Sequence, residues 1–130
     1  MDDRSFEAGL AELRAEFLAM MDERLDALGA ALRTGPADAA AVAAAKRICH
    51  QIAGFAGTVA LPAMGQVARG MERAVDDSAA RPQLWPALRP AASLLAEQTA
   101  SARAGRELAD PSLDPRLHAL AALPGPGAGP

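Results

Sequence analysis

The chain has no tyrosine, a single cysteine and, in 130 residues, only three phenylalanines and one tryptophan. One cysteine excludes an intramolecular disulfide and supplies no set of thiolates for a metal. With so few rings, a core must be built from Leu, Met, Val and Ala. The scarcity of β-branched residues argues against a sheet of any size. Basic residues are few and the net charge is −3, so the electrostatic footprint of a nucleic-acid binder is missing. No apolar run approaches the roughly 18–20 residues that a membrane span needs. The opening residues, MDDRSFEAGL, are acidic, unlike a secretory leader. These absences predict a cytoplasmic, all-α protein with no nucleic-acid or membrane partner; a monomer is expected, since nothing in the sequence demands a dimer.

Apolar residues make up 51% of the chain, and alanine and leucine among them favour helix. Phe6, Leu10, Leu13, Phe17, Met20, Met21, Leu25, Leu28 and Leu32 recur in steps of three and four, which predicts one long amphipathic helix. Thr34, Gly35 and Pro36 stop it. A second helix is expected from about Ala37 to Thr58, with Val42, Ala45, Ile48, Ile52, Phe55 and Val59 on its apolar side. A third begins at Leu61-Pro62, where proline suits the first turn, and dissolves at Asp76-Asp77-Ser78. Pro82, Pro86 and Pro90 cannot all lie within one helix, so the spacing predicts a loop to about Arg89 and a fourth helix from Pro90 to Ala104. A short fifth helix is expected around Asp114 to Leu123. The resulting architecture is an antiparallel up-down four-helix bundle with an extra C-terminal helix. One domain spans 1–123, and the tail 124–130, within PGPGAGP, is expected to be disordered.

The stretch AAKRICHQIAGFAGTVALPAMGQ, residues 44–66, holds one of the two histidines. At about 100° per residue, the apolar side of helix two centres almost opposite His50. Lys46 and Arg47 lie beside it one turn earlier; Ala53, Gly54 and Gly57 lie beside it one and two turns later. Glycine inside a helix costs about 1 kcal/mol relative to alanine. Its use at Gly54 has a reason if a macromolecule must approach the imidazole closely. A neutral imidazole is a nucleophile near pH 7, and basic neighbours suit an incoming phosphoryl group better than a metal cation. Cys49 reads as a small buried hydrophobe and His118 as a surface residue.

The run His50 to Val75, HQIAGFAGTVALPAMGQVARGMERAV, resembles the core of the histidine-containing phosphotransfer (HPt) family. That core has a histidine, a glycine four residues on, a small-residue stretch, a turn leucine and a helix ending in a hydrophobic–glutamate pair. Here these are His50, Gly54, Ala56-Gly57, Leu61 and Met71-Glu72. The N-terminal helix is similar too, with Phe17 at an aromatic position of the family. Two positions depart from the pattern: Ala53 stands where lysine is usual, and Ala60 where glycine is frequent. The resemblance implies an exposed phosphoacceptor, His50, attacking through Nε2, with Glu72 near its Nδ1. Ala53 removes the family's phosphate-side lysine, for which Lys46 or Arg47 is expected to substitute from the other side; Ala53, Gly54 and Gly57 lie where a receiver would dock. The resemblance implies no kinase activity and no cofactor or metal of the chain's own, Mg²⁺ residing on the receiver. The partners implied are response-regulator receiver domains and a hybrid sensor histidine kinase.

Two other classes stand beside this reading. One is a helical adaptor or inhibitor that binds a kinase or receiver without being phosphorylated, a class that Ala53 keeps open. The other is a metal- or cofactor-binding bundle using His50, Cys49 and His118. It is disfavoured because adjacent residues point about 100° apart on a helix and no carboxylate-x-x-His pair is present.

Overall fold

A computed structural model describes residues 3–121. It is all-helical: α1 (Asp3–Thr34), α2 (Ala39–Thr58), α3 (Pro62–Asp77), α4 (Leu84–Arg103), a 3-10 turn (Pro111–Leu113) and α5 (Pro115–Ala121). No strand occurs among the described residues. The tail 124–130 and the expected end of the fifth helix at Leu123 lie outside them.

Local chemistry sets the boundaries. α1 stops where Gly35 takes a left-handed φ of +102° and Pro36 follows. Asp38 caps α2, its Oδ1 accepting from the Ala41 N–H at 3.0 Å. α2 and α3 are joined by Val59–Leu61 alone. Within that turn the Leu61 N–H donates to the Ala56 carbonyl at 2.9 Å. Ala60 adopts a φ of +57°, a left-handed conformation that glycine takes without strain. Pro62 opens α3, where its missing N–H leaves nothing unpaired.

α1 packs against α2 and α4, and α3 packs against the same two helices from the other side. Met21, Leu28, Ile52, Met64, Met71, Leu84, Leu88 and Leu95 are fully buried between them. Each such side chain contributes about 1.5–3 kcal/mol relative to exposure. α1 is the longest helix, and the apolar side chains Phe6, Leu13 and Met20, expected to face inward, stand exposed.

The fourth helix departs from expectation: it starts at Leu84, not Pro90. Pro86 is its third residue, where a backbone N–H would have no partner inside the helix. Pro90 forfeits only the bond to the Pro86 carbonyl. Burial outweighs that loss, since Leu84, Trp85, Leu88 and Ala91 all enter the core. The Trp85 indole N–H also donates to the Leu32 carbonyl at 2.9 Å, one of the carbonyls the last turn of α1 leaves unpaired.

α5 docks on α3 and α4. A Cβ at Gly70 would stand 2.8 Å from Leu117 Cδ1, so only glycine fits there unless Leu117 shifts. Arg116 spans Asp114 and Glu97, each with an N–H···O contact of 3.0 Å.

Candidate functional site

His50 sits midway along α2 with 76% of its side chain exposed. Its Nδ1 lies 2.9 Å from Oε2 of Glu72 on α3. A carboxylate can only accept a hydrogen bond, so Nδ1 carries the ring proton and donates it to Glu72. Nε2 is left with its lone pair. Glu72 is itself only 20% exposed. It is thus largely packed against the bundle while its carboxylate reaches the ring.

The two basic neighbours separate. Lys46 Nζ pairs with Asp76 Oδ1 at 2.8 Å. That hydrogen bond, and then the Coulomb attraction of the same carboxylate, hold the ammonium above its ordinary pKa. Arg47 is exposed and makes no ion pair or hydrogen bond among the described residues. Of the expected pair, only Arg47 is free to meet an anion at the imidazole.

Around the ring the surface is as bare as the glycines foretold, with one correction. A Cβ on Gly54 or Gly57 would meet nothing within 4 Å. Ala53, expected on this outward face, is buried. Phe55, expected in the core, is 48% exposed. Both deviations have one cause: the buried arc of α2 is turned toward α3. The three-residue turn holds the two helices close, and Gly65 of α3 faces Ala53 and Ala56 across the seam. A Cβ there would lie 3.6 Å from both the Ala53 carbonyl oxygen and Ala56 Cβ. The turn of the arc draws Cys49 and Ala53 in and rolls Phe55 out toward α1.

Phe55 is not loose. Its ring stacks on that of Phe17 of α1 with centroids 6.3 Å apart. The Arg24 guanidinium lies 5.0 Å from its centroid on α1, a cation–π distance. Arg24 Nη2 also reaches Met20 Sδ at 3.9 Å. Phe55 and Met20, both about half exposed, thus form an apolar step on the α1 flank of α2. The helical pattern placed these residues inside the bundle, and nothing in the sequence marks Arg24 as their companion. Asp76 was also missed, although its spacing from Glu72 matches that of Lys46 from His50.

Cys49 is buried, and desolvation, with a smaller contribution from Glu72, pushes its thiol up to about 12. It is inert at neutral pH. The histidine–cysteine–histidine reading fails on geometry. His118 lies on α5, which packs on α3 and α4 rather than α2, and its Nε2 is held by the Ser112 carbonyl. Among the described residues no three His, Cys, Asp or Glu side chains gather as metal ligands, and no helix is long and apolar enough to cross a membrane.

A protein-family model described as Hpt domain matches residues 12–122. Neither a curated protein nor a solved structure matches the chain.

Proposed function

From the premise that this chain belongs to the Hpt domain family, matched over residues 12–122, we propose that His50 is the phosphoacceptor of a multistep phosphorelay. Membership implies histidine phosphotransfer in general terms, through contact with response-regulator receiver domains. One observation carries the assignment to His50: Nδ1 is tied to Glu72 at 2.9 Å while the ring is 76% exposed. That supports Nε2 as the nucleophilic nitrogen on an exposed ring.

In this reading the four long helices are the up-down antiparallel bundle of the family. The receiver brings an aspartyl phosphate with its Mg²⁺ to the face bearing Gly54 and Gly57. The Nε2 lone pair forms the N–P bond as the P–O bond to the aspartate breaks, and the carboxylate leaves with that electron pair. The ring keeps its Nδ1 proton and becomes cationic opposite Glu72, whose carboxylate stabilises the charge. Arg47 meets the phosphoryl oxygens. The bare glycines admit the receiver's loops for in-line approach, and Phe55 with Met20 supplies the apolar contact beside them. Transfer to the next receiver is the reverse of these steps. The protein carries a group between a hybrid sensor kinase and a response regulator and consumes no nucleotide.

Phosphoramidate phosphorylates histidine without a protein partner, which makes it the first test. The full chain should gain an acid-labile phosphoryl adduct by intact mass, retained in His118→Gln and lost in His50→Gln. An adduct that survives His50→Gln, or none in the wild type, would transfer the weight to a bundle that only binds its partner.

A further inference from the structure

We infer that Arg69 of α3 is a second cation for the phosphoryl group on His50, reaching it across the seam between α2 and α3; this rests on His50 being the phosphoacceptor. Two contacts set the register of these helices. Lys46 pairs with Asp76 and His50 with Glu72, so four residues forward on α2 match four residues back on α3. Carried three residues further, the same register sets Arg69 opposite Ala53, one turn beyond His50. The side chain leans along the seam toward Gly65, away from His50. Arg69 Nη1 lies 3.3 Å from where a Cβ on Gly65 would stand, a point 3.6 Å from the Ala53 carbonyl oxygen. The guanidinium therefore rests in the seam by Gly65, one turn from Arg69 on the side away from His50.

The charges facing His50 explain why a cation is needed on this side. From α2 come Lys46 and Arg47; from α3 come Arg69, Glu72 and Asp76. Lys46 is occupied by Asp76, and Glu72 serves the ring nitrogen. A phosphoryl group adds a charge of roughly −1.5 to −2 directly beside Glu72, with Arg47 alone on the α2 side. Arg69 is exposed and has no ion pair or hydrogen bond among the described residues, so nothing anchors it away. Ala53 is small and buried, and Gly54 and Gly57 carry no side chains that would stand in its path. A swing of about two turns, from the Gly65 side of Arg69 to the His50 side, brings the planar fork to two phosphoryl oxygens, a geometry that guanidinium matches. Arg73, on the same helix, lines a separate cavity with His118 and Asp77 and serves as the control.

The test follows the initial rate of adduct formation with phosphoramidate in wild type, Arg69→Gln, Arg69→Lys and Arg73→Gln. In this reaction the Nε2–P bond forms as the donor's P–N bond breaks and ammonia leaves. Arg69→Gln should lower the rate at low phosphoramidate about tenfold, mainly through a higher half-saturating concentration. Arg69→Lys should recover most of it, and Arg73→Gln should match wild type. Added salt should slow the wild type more than Arg69→Gln, which keeps Arg47. Wild-type kinetics in Arg69→Gln, or no recovery in Arg69→Lys, would overturn this role while leaving His50 as the acceptor. A wild type that takes no phosphoryl group would overturn both.

Discussion

Replacing Gly54 should move stability and function in opposite directions. Gly54 lies inside α2, and a Cβ built on it meets nothing within 4 Å. The free protein therefore has no steric objection to a side chain there. Removing the excess backbone freedom of glycine from a helix interior stabilises by about 0.8–1 kcal/mol for alanine and slightly less for leucine. For a domain of this size that raises Tm by about 3–5 °C. A leucine at the same point, however, would stand in the space a docked receiver must occupy beside His50. Misfit of that size costs roughly 1–3 kcal/mol at a packed surface, or about fivefold to 150-fold in transfer. Thermal unfolding by circular dichroism reads the first effect. Phosphotransfer from receiver domains charged with acetyl phosphate reads the second, and phosphoramidate, too small to touch residue 54, supplies the internal control. Gly54→Leu should melt higher, react normally with phosphoramidate and transfer slowly from receivers. A variant that melts higher and still transfers at the wild-type rate would refute the argument that glycine is kept for docking. A variant that melts lower would refute the reading of open space.

Three further outcomes follow from the same structure. Ala60→Gly should raise stability by about 1 kcal/mol in urea unfolding, because Ala60 holds a φ of +57° that strains a side-chain-bearing residue; an unchanged midpoint would count against that strain. Trp85→Phe should cost about 1–3 kcal/mol, since it orphans the buried Leu32 carbonyl now bonded at 2.9 Å, and calorimetry would show it as a lower Tm. Arg116 holds the carboxyls of Glu97 and Asp114 below their ordinary range by hydrogen bonding. Their stabilisation is present above the unfolded carboxylate values near pH 4 and disappears as pH falls through the depressed ones. NMR of the Leu117 and Leu120 methyls should therefore report loosening of α5 below about pH 4, with Glu97→Gln removing part of that dependence.

How much of this was legible in the sequence depends on whether one helix or two decides the matter. His50 stands outward because the positions of Ile48 and Ile52 on its own helix demand it, and the wheel showed that directly. The Gly35-Pro36 stop and Pro62 at the start of α3 are equally local. Phe55 and Ala53 exchanged places because the buried arc of α2 turns toward α3, to which a turn only three residues long ties it. Lys46 read as a phosphate neighbour until a carboxylate on another helix claimed it. The start of α4 was misjudged because local rules forbid interior proline, while the indole of Trp85 and three apolar neighbours gain more from entering the core than Pro90 forfeits.

The buried thiol next to the phosphoacceptor has a practical bearing. Cys49 is the only cysteine, fully enclosed and held as the neutral thiol, so the native chain is silent toward maleimides at neutral pH. A cysteine introduced at any exposed position becomes the sole attachment point for a dye or spin label. The face around His50 can thus be instrumented one residue at a time, and the arrival of a receiver watched on the unmodified framework of the molecule.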